Sequence, residues 1–85
     1  MDRFLIESPH LVQECDKALK ATFAMGYLHN FDWGCKAGVH TGWVTIEAED
    51  EKQAILVVPP FLRNKARAVK LVKFSPDRVK EMHPE

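Results

Sequence analysis

Three side chains in this sequence could share a metal ion or a proton: His10, Cys35 and His40. A neutral imidazole can accept a thiol proton and leave a nucleophilic thiolate, which makes Cys35 and His40 the candidate catalytic pair. The same thiolate and imidazoles are ligands for a soft or borderline ion of the zinc or copper type, with His10 completing the set. In a hairpin with a two-residue Ala37-Gly38 turn, Lys36 pairs with Val39 and Cys35 with His40. Their β-carbons then stand about 5 Å apart. A three- or four-residue loop would shift that pairing. Cys-x4-His is not a recognised zinc spacing and no Cys-x2-Cys occurs, so a small buried thiol beside a hydrogen-bonded histidine is the competing reading. Cys15 falls on the packed stripe of the first helix and reads as a core residue. His10 lies nearly opposite that stripe, so it joins the site only by turning inward at the helix start or reaching a neighbouring subunit. His29 and His83 stand alone beside loops or termini. No nucleotide loop, nucleophile elbow, His-Glu-x-x-His or calcium-loop pattern is present.

These residues must be held by short elements. Arg3–Glu7 is apolar and reads as a strand. Ser8 is then an N-cap, with Pro9 at the first helical position. Val12, Cys15, Leu19, Thr22 and Phe23 form one helical stripe, which Gly26 ends. From Phe31 to Glu49 the chain alternates like a hairpin. Phe31, Trp33, Cys35, His40, Gly42, Val44, Ile46 and Ala48 point one way, and Asp32, Lys36, Thr41, Trp43, Thr45 and Glu47 the other. Glu49-Asp50-Glu51 opens a second helix that buries Ala54, Ile55, Val57, Val58, Phe61 and Leu62. Pro59-Pro60 must interrupt it, since neither proline donates a backbone hydrogen bond. Ala66–Phe74 reads as the last strand, with Val69 and Leu71 on one face. Ser75-Pro76-Asp77 caps a short terminal helix ending near Met82.

The order strand, helix, strand, strand, helix, strand predicts an α+β, ferredoxin-like βαββαβ domain. Its four-stranded antiparallel sheet carries two helices on one face, and the first and third strands lie centrally. The domain takes up the whole chain, residues 1–85. That topology gathers Ser8–His10, Cys35–Thr41 and Pro59–Arg67 at one pole. Lys36, Arg63, Lys65 and Arg67 make this pole basic and suited to a small anionic ligand, while Glu47, Glu49, Asp50 and Glu51 collect at the other. Ordinary compensation of the second helix's dipole would produce the same charge distribution. The uncovered sheet face carries Trp43, flanked by Thr41 and Thr45 with Leu5 nearby. It is the expected surface for a homodimer.

Twelve basic and twelve acidic residues leave no net charge, which argues against a general electrostatic grip on nucleic acid. Apolar residues at 46% and charged residues at 28% fit an ordered chain of 85 residues. The N-terminus lacks the apolar core of a signal peptide, and no apolar run approaches the ~20 residues that span a bilayer. Two cysteines are too few for a disulfide scaffold, so the expected setting is the cytoplasm, with reduced thiols.

The stretches Phe4-Leu5-Ile6-Glu7-Ser8-Pro9-His10, Phe31 through Trp43 (FDWGCKAGVHTGW) and Val58-Pro59-Pro60-Phe61-Leu62-Arg63 with Lys65-Ala66-Arg67 resemble a small uncharacterised bacterial ferredoxin-like family. They cover about half the chain, which departs from the family pattern at Val39, where that pattern has an acidic residue. More distantly the architecture is similar to the dimeric α/β-barrel group, which includes muconolactone isomerases, YCII-like proteins and antibiotic-biosynthesis monooxygenases. The resemblance implies the fold and assigns no activity. The expectation is therefore a homodimeric binding protein that holds a metal ion or small anion at the Cys35/His40 pole. The alternatives are a small enzyme using Cys35 as nucleophile or His40 as acid–base, and a purely structural or regulatory module.

Overall fold

The computed structural model describes residues 1–82; His83 lies outside the described residues. The chain is α+β. Strands β1 (Asp2–Pro9), β2 (Asp32–Trp33), β3 (Thr41–Ala48) and β4 (Arg67–Leu71) form one antiparallel sheet in the order β2-β3-β1-β4. Helices α1 (Cys15–Ala24), α2 (Glu51–Ala54) and α3 (Pro76–Lys80) complete the fold, with short 3-10 turns between the elements. None of the helices described is long and apolar enough to cross a membrane.

Alternation sets which face of the sheet is buried. Phe4, Ile6 and Ser8 of β1 point inward, as do Gly42, Val44 and Ala48 of β3. Phe4, Ile6, Val44 and Ala48 meet Ala18 of α1, Phe31, and Ala54, Val57, Val58 and Leu62 of the second helical segment in a single cluster. Ile6 and Leu62 are almost wholly enclosed. Each contributes about 1.5–3 kcal/mol through the apolar surface it removes from water.

Several expected boundaries move. β1 runs on through Ser8 and Pro9, so Ser8 caps no helix and α1 starts only at Cys15, after a 3-10 turn at Val12–Glu14. The reason lies in the β1–β3 ladder. His10 N–H donates to the His40 carbonyl at 2.9 Å, and Pro9 opposite Thr41 sits at the intervening position, where that ladder asks for no N–H. On the other side, pairing with β4 stops at Glu7 opposite Arg67, so nothing there needs the missing donor either. On α1 the buried residues are Ala18 and Thr22, whereas Phe23, and Val12 in the 3-10 turn before it, are exposed. The Thr22 hydroxyl donates to the Ala18 carbonyl at 2.8 Å, which permits its burial. After α1, Gly26 takes the left-handed conformation at φ 85°.

Asp50 caps α2 by accepting from the Gln53 N–H at 2.9 Å, and Ser75 caps α3 by accepting from the Arg78 N–H at 3.1 Å. The proline pair limits α2 to a single turn, followed by 3-10 turns at Ile55–Val57 and Pro60–Leu62. The Arg63 side chain straps this break, donating from Nε to the Val58 carbonyl at 2.7 Å and from Nη2 to the Leu56 carbonyl at 3.1 Å.

Candidate metal centre

The β1–β3 register opposes residues whose numbers sum to fifty, so its next step beyond Pro9–Thr41 is His10 opposite His40, the pair joined by the main-chain bond just described. Both histidines inherit the inward parity of Ser8 and Gly42. They therefore project from the buried face, just past the paired strands. Their ring centroids lie 5.9 Å apart in an edge-on arrangement.

The β2–β3 register pairs Asp32 with Trp43 and Trp33 with Gly42, the alignment expected from a two-residue turn. The ladder nonetheless stops before Cys35 and His40. After Gly34 the chain enters a 3-10 turn at Cys35–Ala37 and leaves through Gly38 at φ 84°. Gly34 makes this possible: an added Cβ there would stand 2.7 Å from the Val39 carbonyl oxygen and 2.9 Å from the Trp43 ring. Cys35 is thus a turn residue, and its thiol lies 3.3 Å from His10 Nε2.

The fourth member was not expected. Cys15, read from the sequence as core packing, opens α1 directly over the pair of histidines. Its Sγ lies 3.2 Å from His10 Nε2, 3.2 Å from His40 Nδ1 and 3.7 Å from Cys35 Sγ. Its place on the inward stripe was legible; its role was not. The available signal was symmetry of spacing, since His10-x4-Cys15 mirrors Cys35-x4-His40. The Glu14 carboxylate holds the segment between His10 and Cys15, accepting from the Leu11 N–H at 2.9 Å and lying 3.5 Å from Lys65 Nζ. Those contacts, the backbone N–H first, draw the Glu14 pKa down.

One donor atom from each of His10, Cys15, Cys35 and His40 falls within 4.8 Å of all the others; His10 is buried and the rest are half-buried. Zinc bonds of about 2.3 Å to sulfur and 2.0–2.1 Å to nitrogen imply tetrahedral edges of ~3.8 Å between sulfurs and ~3.6 Å from sulfur to nitrogen. Four of the six edges, 3.7 Å between the sulfurs and 3.2–3.3 Å from sulfur to nitrogen, are close to or slightly shorter than these values, and the other two lie within 4.8 Å. A two-sulfur, two-nitrogen set suits a mononuclear borderline ion.

The electrostatics agree with ligation. Burial, then repulsion from His40, lowers the His10 pKa below its ordinary 6.5 and favours the neutral imidazole that a metal needs. The Ser8 carbonyl offsets part of this, although it falls short of a hydrogen bond to Nδ1, which is buried and unpartnered. Burial raises the Cys15 thiol, and its contact with Cys35 and the charge of Asp16 raise it further. Without a cation, then, two thiolates do not coexist comfortably here.

Three of the four residues expected to bind an anion have intramolecular partners. Arg63 straps its own turn, Lys65 approaches Glu14, and Arg67 pairs with Glu7 at 2.8 Å. Lys36 lines a groove of about 390 Å³ with Leu19, Phe31, Asp32, Trp33 and Cys35, beside the four-residue cluster. A larger concavity of about 430 Å³, at the far end of β3 near Tyr27, Glu47 and Gln53, holds neither thiol nor imidazole. Comparison with known protein families, with curated proteins and with solved structures finds no match for this chain.

Proposed function

We propose that this chain is a small metal-binding protein that holds one zinc- or copper-type ion through His10, Cys15, Cys35 and His40. The observation that carries the reading is the approach of four donor atoms, from four separate points of the chain, to within 4.8 Å of one another. Zinc suits the mixed sulfur and nitrogen donor set and the four short edges around the two sulfurs. Four protein ligands fill the coordination sphere, and that favours a binding or structural role over Lewis-acid catalysis, which needs an open position. The test is elemental analysis of protein purified without a histidine tag, followed by cobalt substitution. One equivalent of zinc or copper, with the intense visible bands of tetrahedral sulfur-ligated cobalt, is the expected result. Failure to retain any equivalent of metal, with no such spectrum, would sink the reading.

The strand order, with β1 and β3 central, supports reading the domain as ferredoxin-like and akin to the dimeric α/β-barrel group. Homodimerisation through the face bearing Trp43 belongs to the same proposal. Leu5, Trp43, Val69 and Leu71 share the outward parity of the sheet and keep part of their surface exposed. A small anionic ligand finds less support, because three of its four expected cations have intramolecular partners.

A further inference from the structure

The two thiols of the centre also touch each other. Cys15 and Cys35 are 20 residues apart in sequence, yet their sulfurs stand 3.7 Å apart, and both side chains are half-buried. We propose that this pair is a site of covalent oxidation: a hydroperoxide-class oxidant joins Cys15 to Cys35 in a disulfide and thereby releases the bound ion. The release rests on the metal reading above; the disulfide does not.

The groove beside the centre sets the order of events, since it is bordered by Cys35 and not by Cys15. An oxidant arriving there meets Cys35 first. The Cys35 sulfur attacks one peroxide oxygen, the O–O bond breaks, and the departing hydroxide takes a proton from solvent and leaves as water. Cys35 is then a sulfenic acid. The Cys15 sulfur attacks the Cys35 sulfur, the S–O bond breaks, and the hydroxyl leaves with a proton as the second water. Two electrons pass from the sulfurs to the peroxide. Closing 3.7 Å to a bond of about 2.05 Å asks for a shift of less than ~2 Å between the two sulfurs. Both anionic ligands are consumed in the product. His10 and His40 remain, and two neutral imidazoles do not make a closed zinc site.

The experiment treats the zinc-loaded and the metal-free full chain in parallel with one equivalent of hydrogen peroxide. Intact mass, peptide mapping and a chromophoric zinc indicator are the readouts. Loss of two hydrogens, a Cys15–Cys35 cross-linked peptide and one zinc released per disulfide are expected, with dithiothreitol restoring the parent. Cys15→Ser should halt the sequence at a Cys35 sulfenic acid that dimedone traps. Zinc retained by the cross-linked chain would overturn the release. Separate over-oxidation of each thiol, or a disulfide between two copies, would overturn the site. The metal-free arm separates the two ideas: a disulfide there upholds the site even if zinc never binds, and its absence there refutes the site whatever the metal does.

Discussion

Cys15→Ala tests the centre most directly, because the sequence and the structure assign this residue different roles. Its sulfur lies 3.2 Å from each histidine nitrogen and 3.7 Å from Cys35, closing three edges of the tetrahedron. Structural zinc contributes about 10–16 kcal/mol in small peptides, so an equal share per ligand is roughly 2.5–4 kcal/mol. At about 1.4 kcal/mol per decade, the substitution should weaken zinc binding about 10²- to 10³-fold. The metal-free fold should hardly notice. The side chain is half-buried, and the buried residues of α1, Ala18 and Thr22, remain in place, so a cost near 1 kcal/mol is expected. Competition titration against a chromophoric chelator measures the first quantity, and urea denaturation in EDTA measures the second. A variant that binds zinc within threefold of the parent while losing several kcal/mol in urea would return Cys15 to plain core packing.

Three further outcomes follow from particular contacts. The folded pKa of His10 lies below the 6.5 of the unfolded chain, so the unfolded state binds its proton more readily. Stability of the metal-free protein is therefore full above about 6.5 and falls as pH drops through and below that value; urea midpoints taken on both sides should show this, and a slope unchanged in His10→Gln would show that another group is responsible. Gly34→Ala puts a Cβ 2.7 Å from a backbone oxygen, so the turn presenting Cys35 must open; zinc affinity should fall at least about tenfold for a folding cost of about 1–3 kcal/mol, and no change in either would refute the steric account. Trp43→Ala should weaken the proposed dimer by about 2 kcal/mol or more in sedimentation at micromolar concentration, and a monomeric parent would end that proposal.

What the sequence revealed depended on whether local signals had one reading. The alternation of Gly42, Val44 and Ala48 against Trp43, Thr45 and Glu47 has no helical equivalent, and β3 matches it. Asp50 and Ser75 each precede helices they do cap. Ser8-Pro9 carries the same helix-start signal, but it lies at a strand end, where proline costs nothing for the same reason: no partner needs its N–H. A local motif could not separate these cases, because the deciding fact is the register with a strand more than thirty residues away. The centre followed the same rule. His10, Cys35 and His40 could be grouped from topology alone. Cys15 could not, because a helix residue that faces a sheet looks identical whether it meets a methyl group or an imidazole. Its neighbours are chosen by where α1 begins, and that boundary was displaced by the Ser8-Pro9 misreading.

The four donor residues all come from residues 10–40, while β4 is attached to the sheet only through its pairing with β1. An ion at the centre would therefore tie together the end of β1, the start of α1, the turn after β2 and the start of β3, and leave β4 and α3 untied. Occupancy would then sort the molecule into two cooperative units of unequal opening free energy. Amides flanking the centre, such as the His10 N–H bonded to the His40 carbonyl, would exchange with solvent only after the metal leaves or the whole fold opens. Those of Arg67–Leu71, on a half-exposed edge strand, would exchange by peeling away from β1 whether or not the centre is filled. A metal of this kind would act as a selective staple, hardening the N-terminal half and leaving the C-terminal edge free to breathe.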